Sequence, residues 1–552
     1  MSYRGVLLSD FNVSNLAGYL RNAKGLPALE VTATPFGQVM PALMDSSGPT
    51  WQDCDFAVVW TRPQSVIPSF NDVLEFHTPD IDQIMCEVDD YAELLRNATA
   101  RVKVLLVPSW TVQGASLGML DMDPTRGIQS ILMRMNLRLA DSLAGTEAFV
   151  LDSSRWIASA GPKAVVPKLW YLSKTPFGND VFKTASADIH AALSGVAGHA
   201  RKLVILDLDN TLWGGIVGDD EWENLRLGGH DHLGEAFADF QRGLKALTNR
   251  GIILGIASKN EEEVALEAID NHPEMILSRD DFAGWRINWS DKAANIIDLV
   301  EEIDLGLQSV VFIDDNPVER DRVRKALPEV LVPEWPSDPT LYRFTLDALR
   351  CFDSPFISEE DTERAKMYTS RRERQSARTE AGSMDGWLAS LETRVKIEKL
   401  TPANLQRTAQ LLNKTNQMNL STRRLPEKLL GDWAAEEQNH LWTVRVSDRF
   451  GDSGLTGIMS LHVNNEGTQI IDFILSCRVM GRCVEETMLS VLLSQAHDLG
   501  VEQIEARYLP TKKNKPLLQF LLGSEMAEEG DGRFTWDCTR DDSLPDSVTL
   551  EM

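Results

Sequence analysis

Between residues 204 and 315 short apolar runs alternate with amphipathic segments, and polar side chains follow the apolar runs at once. The apolar runs predict strands, and the segments between them predict helices. Strands are expected at residues 204–206, 252–257, 275–277 and 309–313, and helices at residues 232–250, 261–271 and 292–302. This alternation predicts a doubly wound α/β domain, whose site should lie where its strands end.

The first strand is followed by the sequence Asp207-Leu-Asp209. Two carboxylates this close at a strand end can share one divalent cation. Alternatively, one binds through its side chain and the other through its main-chain carbonyl. Because all of these ligands are hard oxygen atoms, the expected ion is Mg²⁺.

Three further polar groups follow in order: Ser258 after the second strand, Lys292 at a helix start, and Asp314-Asp315 after the last strand. A carboxylate can attack phosphorus, and a second one can protonate the leaving oxygen and later deprotonate water. A hydroxyl and a lysine can hold the phosphoryl oxygens. A lone Asp-x-Asp is typical of a solvated loop. An Asp-x-Asp that is followed, in order, by the three other polar elements favours phosphoryl transfer.

These segments resemble the haloacid dehalogenase-like (HAD) superfamily, and more closely its FkbH-like subgroup. The resemblance covers roughly residues 200–525 and is carried by residues 207–218, 257–260, 272–277, 287–292 and 312–320. It implies Asp207 as the nucleophile and Asp209 as the general acid/base. It also implies that Thr211 and Ser258 bind phosphate and that Lys292 neutralises charge. The implied metal ligands are Asp207, Asp209, Asp314 and Asp315.

The FkbH-like resemblance implies a bifunctional glyceryl transferase/phosphatase. Such an enzyme takes D-1,3-bisphosphoglycerate, holds the glyceryl unit as a thioester, removes its phosphate, and passes the unit to an acyl carrier protein for polyketide-type biosynthesis. Two alternatives stay open. One is a plain Mg²⁺-dependent phosphatase acting on a small phosphometabolite. The other is a non-enzymatic assembly protein of a biosynthetic complex.

A transferase of this kind needs a thiol, and Cys477 is the best-placed candidate. It follows a predicted strand, with Arg478, Arg482 and a helix start nearby. Both a positive neighbour and a helix N-terminus lower a thiol pKa. Cys483 is a weaker candidate, and the alternative for Cys477 is a buried structural cysteine.

The segment around Cys477 also resembles the cofactor loop of GNAT acyltransferases. Cys483 stands where that loop has Gly or Ala, which argues against coenzyme A and is compatible with a pantetheine arm. Residues 413–419 and 508–514 also resemble family segments, and Lys512 is expected to bind substrate together with Arg478 and Arg482. The alternative is that these polar groups only cap helices or carry charge that is exposed to solvent.

The N-terminal part is expected to be α/β, with a parallel sheet covered on both faces. Strands are predicted at residues 5–9, 57–60, 102–107 and 148–151, and a helix at residues 81–97. The segment around Ser9 resembles the first block of SGNH esterases. Those enzymes need Asp-x-x-His, whereas Asp188-Ile-His190 is one residue short, so a degenerate domain used for docking or assembly is expected.

Four regions are therefore expected along the chain. They are an SGNH-like α/β domain (1–195), a HAD-like domain (196–348), a charged, solvated helical connector (349–390) and a GNAT-like α+β domain (391–552). The connector is rich in arginine, at positions 371, 372, 374 and 378.

The 552-residue chain carries 55 Lys+Arg against 82 Asp+Glu, a formal charge of −27. This balance argues against nucleic acid and against anionic membranes as partners. The six cysteines show no disulfide or metal spacing, and we see no signal peptide, which together favour the cytoplasm. An acidic carrier protein would need a local positive patch. The groups expected to form it are Lys292, Arg423, Arg424, Arg478, Arg482, Lys512, Lys513 and Lys515.

Overall fold

The computed structural model describes most of the chain. The described residues are 2–35, 37–45, 48–303, 305–355, 370, 374, 377–378, 381, 383–415 (Lys414 by its backbone only), 417–464, 467–511, 513–524, 526–538 and 544–552. The chain divides into two compact units. The first comprises Met1–Leu203, Gly306–Phe312 and Leu327–Ile357, and the second comprises Val204–Leu305, Ile313–Ala326 and Ser358–Met552.

The N-terminal region forms a five-stranded sheet in the order β2-β1-β3-β4-β5, with all neighbouring strands parallel. Its strands are β1 Ser2–Ser9, β2 Ala28–Ala33, β3 Phe56–Trp60, β4 Val104–Pro108 and β5 Ala148–Leu151. Its helices are α1 Ser14–Arg21, α2 Val39–Met44, α3 Pro63–Val66, α4 Phe70–Leu74, α5 Ile81–Thr99, α6 Ile128–Leu143, α7 Ser153–Ala160, α8 Pro167–Ser173 and α9 Asn179–Val196.

Both faces of this sheet are buried. In β1, Val6 and Leu8 pack into one apolar cluster together with residues of α5 and α6. Leu7, which points to the opposite face, packs into a second cluster with residues of α1 and α9. Since successive strand residues alternate between faces, a strand buried on both sides must be apolar throughout. The predicted parallel sheet covered on both faces is confirmed, whereas the SGNH-like resemblance stays a prediction.

The central region forms a four-stranded sheet in the order β8-β7-β6-β9. Its elements are β6 Leu203–Leu206, α10 Val217–Asp220, α11 His232–Thr248, β7 Ile253–Ser258, α12 Glu262–Asn271, β8 Phe282–Ile287, α13 Lys292–Ile303, β9 Val310–Ile313, α14 Pro317–Ala326 and α15 Tyr342–Asp347. The strand predicted near residues 275–277 is wrong, because the amides of Ile276 and Leu277 donate to the side-chain oxygen of Gln241. This apolar run packs as a loop, and the strand lies further on, at β8.

The C-terminal region forms a nine-stranded mixed sheet in the order β16-β17-β15-β14-β13-β12-β10-β18, with β11 beside β14. Its strands are β10 Thr393–Lys399, β11 Met418–Asn419, β12 Asn439–Asp448, β13 Gly451–Asn464, β14 Gly467–Leu475, β15 Gln503–Arg507, β16 Ala527–Gly530, β17 Arg533–Asp537 and β18 Val548–Glu551. Its helices are α16 Met384–Leu391, α17 Pro402–Lys414, α18 Glu427–Ala434, α19 Val484–Asp498 and α20 Lys515–Gly523.

The parallel strands β14 and β15 pair over only three residues each, ending at Ile470 and Ala506. Further along β14, Ile474 and Leu475 pair instead with Asn419 and Met418 of β11. The end of β14 therefore lies beside β11, and this pairing brings the segment that precedes Cys477 next to Asn419.

The predicted connector is not solvated at Arg374. This arginine is buried and donates two hydrogen bonds to the fully buried carboxylate of Asp448, from Nε (2.6 Å) and Nη2 (2.8 Å). Arg378 lies over the ring of Trp387, 5.2 Å from its centroid. Arg371 and Arg372 lie outside the described residues.

Within the described part of the chain, no helix is long and apolar enough to cross a membrane. None of the six cysteines, all of which lie among the described residues, forms a disulfide bond. Single turns of 3₁₀ helix occur at Pro49–Trp51, Gly118–Leu120, Gly161–Lys163, Trp222–Asn224, Arg279–Asp281, Leu307–Ser309, Pro339–Leu341 and Cys477–Val479.

Candidate active site

A buried lysine joins two of the predicted carboxylates at the carboxyl ends of β6 and β9. Nζ of Lys292 lies 3.0 Å from Asp207 Oδ1 and 2.6 Å from Asp314 Oδ2. The Asp207 amide donates to the carbonyl of Ile313, which holds the two strand ends side by side. Three groups that are far apart in sequence therefore meet in one buried cluster, as the positions of Asp207 and Asp314 at strand ends and of Lys292 at a helix start predict.

Asp315 completes a set of three carboxylates. One oxygen each of Asp207, Asp314 and Asp315 lies within 4.8 Å of the others, and no other such group of His, Cys, Asp or Glu side chains occurs among the described residues. When ionised, the three carboxylates outweigh the single ammonium and leave the cluster with a net negative charge. An all-oxygen donor set with this excess charge fits Mg²⁺.

The pKa values of these carboxyls reflect their crowding. Burial, and after it the charge of Asp207, raise the pKa of Asp314 to about 6 against the opposing effect of Lys292. Burial and the charge of Asp207 also raise the pKa of Asp315. Because a divalent cation would offset this repulsion, the residues present fit the predicted ion.

Lys292 remains an ammonium in this cluster. Burial by itself lowers its pKa, but the charges and hydrogen bonds of Asp207 and Asp314 outweigh burial, and the pKa is raised overall. A permanent positive charge at this position suits the predicted role of neutralising phosphoryl oxygens.

Asp209 lies next to this cluster, but its carboxylate is not one of the three. Oδ1 accepts from the indole N–H of Trp213 (2.9 Å) and the amide of Val217 (3.1 Å), and Oδ2 accepts from Asn260 Nδ2 (2.9 Å). Burial nevertheless raises the pKa of Asp209, against these hydrogen bonds. A raised pKa suits a proton donor. Metal binding by Asp209 through its main-chain carbonyl stays a prediction.

Ser258 and Thr211, the predicted phosphate-binding hydroxyls, are both buried. Thr211 Oγ1 accepts from the amide of Asp315 (3.2 Å). Asn260 Nδ2 lies 3.4 Å from Ser258 Oγ as well as bonding to Asp209. Asn260 therefore links the phosphate-binding and acid/base groups, a role that sequence reasoning missed although residues 257–260 carried part of the resemblance.

The residues on either side of Asn260 contact the other motifs. Lys259 forms an ion pair with Glu319 on α14 (2.7 Å). Glu261 accepts from the indole N–H of Trp289 (2.8 Å), in the loop that leads to Lys292. The loop after β7 is thus fixed on both sides by segments that carry predicted site residues.

The predicted thiol site lies at the end of β14. Cys477 is exposed and begins the 3₁₀ turn Cys477–Val479. The two flanking segments meet, because the buried Asn514 donates from Nδ2 to the carbonyl of Asn419 (3.3 Å) and accepts from the Tyr508 hydroxyl (2.9 Å). The structure therefore brings Asn419 together with Tyr508 and Asn514, and Asn419 lies beside β14.

Several of the predicted anion-binding cations are engaged in protein contacts. Arg482 is buried and donates to Asp448 (2.9 Å) and to the carbonyl of Arg478. Arg478 Nε donates to Ser476 Oγ (3.2 Å). Lys512 lies outside the described residues. Substrate binding by these three residues stays a prediction.

Cys483 is less suited than Cys477 to nucleophilic chemistry. It precedes α19 with φ +60°, and burial raises the pKa of its thiol, with the charges of Glu486, Glu485 and Asp385 acting in the same direction against a hydrogen bond from Ser547. A raised pKa lowers the thiolate fraction.

The candidate triad residues of the N-terminal region are engaged elsewhere. Asp188 accepts from the Trp156 indole (2.7 Å) and pairs with Arg155 and Arg350, each at 2.5 Å. His190 Nε2 contacts the carbonyl of Pro27 at 3.2 Å. The degenerate SGNH-like domain stays a prediction.

No protein-family model and no curated protein matches the chain. Its structure is similar to the crystal structure of the N-terminal part of the protein BF1531 from Bacteroides fragilis, which contains a phosphatase domain complexed with Mg. The TM-score is 0.58 at 28% identity, and the match covers 64% of this chain and 94% of that chain. This similarity supports an enzyme of the HAD phosphatase type with Mg²⁺ as its cofactor. The FkbH-like subgroup stays a prediction.

Two acetyltransferases match a smaller part of the chain. The ribosomal-protein-S18-alanine N-acetyltransferase from Escherichia coli has a TM-score of 0.21 at 10% identity, covering 26% of this chain and 95% of that chain. Spermidine N-acetyltransferase from Vibrio cholerae has a TM-score of 0.21 at 14% identity, covering 26% and 94%. Scores this low say nothing of the activity of the C-terminal region.

Proposed function

We propose that the chain is a bifunctional glyceryl transferase/phosphatase that acts on a phosphorylated three-carbon acyl donor and an acyl carrier protein. The observation that carries the proposal is the buried cluster of Lys292 with Asp207 and Asp314, which Asp315 extends to three carboxylates. The similarity to a Mg-bound phosphatase domain supports its phosphatase half.

In the phosphatase half, Asp207 attacks phosphorus and forms an aspartyl-phosphate as the alkoxide leaves. Asp209 gives this alkoxide its proton and later takes a proton from the water that attacks the aspartyl-phosphate, so that inorganic phosphate leaves and the Asp207 carboxylate is restored. Lys292 and the hydroxyls of Ser258 and Thr211 hold the phosphoryl oxygens. Mg²⁺, held by Asp207, Asp314, Asp315 and the main-chain carbonyl of Asp209, would supply positive charge against the phosphoryl oxygens.

In the transferase half, the Cys477 thiolate attacks the acyl carbon of D-1,3-bisphosphoglycerate and inorganic phosphate leaves. The resulting thioester then exchanges onto the phosphopantetheine thiol of the carrier protein, which releases Cys477. Its exposed position at the end of β14 makes the thiol accessible to a carrier-bound arm.

Intact mass spectrometry tests both halves. Incubation with D-1,3-bisphosphoglycerate and Mg²⁺ should give a covalent glyceryl adduct on the wild type and none on Cys477→Ala. The matched control is Cys86→Ala, which removes another exposed thiol. For Asp207→Asn, the adduct should keep its phosphate. An adduct on Asp207→Asn that loses this phosphate as the wild-type adduct does would overturn the nucleophile assignment.

The alternative is a plain Mg²⁺-dependent phosphatase, which the acid cluster supports without any role for Cys477. It predicts phosphate release from small phosphomonoesters with no adduct on the wild type. An assembly protein, the second alternative, predicts neither adduct nor phosphate release.

We further propose that the N-terminal region (1–195) recruits a partner in the cytoplasm, while regions 196–348 and 391–552 carry the phosphatase and transferase sites. Ser9 is buried, and its hydroxyl accepts from the Phe11 amide (3.2 Å). Ser9→Ala should leave turnover intact in the assay above, and a large loss would favour an esterase-type role instead.

A further inference from the structure

Asp314 and Asp315 are adjacent in sequence, yet both carboxylates face the same cluster. Along a strand, successive side chains point to opposite faces. The backbone must therefore turn directly after β9 for the pair to converge. Such a turn points main-chain polar groups away from the ladder, where each needs a new partner if it is buried.

Two main-chain amides of this turn have side-chain hydrogen-bond partners. The Asp315 amide donates to Thr211 Oγ1 (3.2 Å), and the Asn316 amide donates to Asp314 Oδ1 (2.8 Å). The second of these bonds fixes one carboxylate oxygen of Asp314, while Lys292 holds the other.

The carbonyls of the turn have a single common partner. Nη1 of Arg320, on α14, donates to the carbonyl of Asp314 at 2.7 Å and to the carbonyl of Asp315 at 2.7 Å. Arg320 is only 7% exposed. Within the described part of the chain its Nε has no hydrogen-bond partner. The buried guanidinium of Arg320 therefore donates its hydrogen bonds to the main-chain carbonyls of Asp314 and Asp315.

We propose that Arg320 is a positioning residue for the divalent cation. It holds the turn that makes Asp314 and Asp315 converge, without touching the ion or the substrate. Partners one shell away from metal ligands orient those ligands, and their loss weakens metal affinity. The inference rests on the proposed Mg²⁺-dependent phosphatase.

The test is Mg²⁺ binding by the full chain, measured by titration calorimetry without substrate. Arg320→Gln should bind Mg²⁺ about 10–100-fold more weakly than the wild type. Its phosphatase activity should fall at limiting Mg²⁺ and recover at saturating Mg²⁺. A purely structural role would lower activity at every Mg²⁺ concentration and leave the Kd unchanged.

The matched control is Lys325→Gln on the same helix, which removes an exposed cation paired with Asp321 and should leave Mg²⁺ binding unchanged. Arg320→Lys keeps the charge, but a lysine is a point donor without the planar fork. It should fall between the wild type and Arg320→Gln, and it serves as the test if Arg320→Gln does not fold.

The outcomes separate the two proposals. If the wild type binds no Mg²⁺, the proposed phosphatase fails. If the wild type binds Mg²⁺ and a folded Arg320 variant binds it within threefold of the same Kd, only the role of Arg320 is overturned.

Discussion

At the scale of single residues, Asn260 links Asp209, the proposed general acid, to Ser258, a proposed phosphate-binding residue. Its Nδ2 bonds to Asp209 and lies near Ser258 Oγ. Without this amide, the carboxylate keeps the Trp213 and Val217 donors on one oxygen only. The orientation of Asp209 therefore depends on a residue that is neither acidic nor nucleophilic.

We expect Asn260→Ala to lower kcat of the phosphatase reaction about 10- to 100-fold, since a hydrogen bond to a charged group contributes roughly 1.5–3 kcal/mol. Asn271→Ala, an exposed asparagine at the end of α12, is the control. Steady-state kinetics on a phosphomonoester gives the answer, and an unchanged kcat would contradict the link between Asn260 and Asp209.

The carboxyl cluster also predicts a pH dependence. The pKa of Asp314 in the folded, metal-free protein is about 6, above its ordinary value of 3.8. The folded state therefore holds an extra proton between these values, and its unfolding free energy falls as the pH rises through this window. Mg²⁺ needs ionised carboxylates.

We expect the rise in Tm on adding Mg²⁺ to be small below about pH 5 and to grow as the pH passes 6. Thermal unfolding with and without Mg²⁺ across this range measures it. A shift that does not change with pH would mean that Asp314 is already ionised in the metal-free protein.

At the scale of elements, a buried ion-pair cluster joins Arg374 of the connector (349–390) to Asp448 at the end of β12. Asp448, fully buried, accepts from both Arg374 and Arg482. Removing a buried carboxylate from two arginines leaves both charges without compensation. This cluster explains why a segment rich in charge is not solvated at Arg374.

We expect Asp448→Ala to destabilise the C-terminal region by about 3–5 kcal/mol. Asp452→Ala is the control. It removes a half-exposed partner of Arg445 close by in the sheet and should cost at most about 1 kcal/mol. Urea unfolding compares the two variants, and equal shifts of the midpoint would show that the cluster around Asp448 contributes no more than a surface pair.

At the scale of the whole molecule, the net charge of −27 matters for an acidic partner. The positive patch expected from the sequence carries less uncompensated charge in the structure. Arg423 forms an ion pair with the buried Asp472, Arg482 bonds to Asp448, and Lys292 is buried among carboxylates. Much of the predicted positive charge is therefore compensated within the protein.

We accordingly expect association with an acidic carrier protein to weaken as ionic strength is lowered, because long-range repulsion is then less screened. The measurement is KM for the carrier protein over a salt series. A KM that falls at low salt would instead point to an accessible basic surface.

The sequence predicted much of the fold and part of the site. The strand Ala148–Leu151 has the predicted bounds, because a short apolar run is a local signal. The strand β2 was missed, since only two of its six residues, Leu29 and Val31, are buried, and two are too few to show a period. The strand prediction at residues 275–277 was wrong because an apolar run alone does not distinguish a strand from a packed loop.

The sequence by itself determined which polar groups lie at the strand ends, because each of them comes directly at the end of an apolar run. Asp207, Ser258 and Asp314 are examples. Only the tertiary structure decided their partners. Lys292 meets two carboxylates, Asn260 reaches Asp209, and Arg320 holds the turn after β9. The physical reason is that hydrogen bonds between distant segments depend on how the strands and helices pack, and no local pattern encodes that packing.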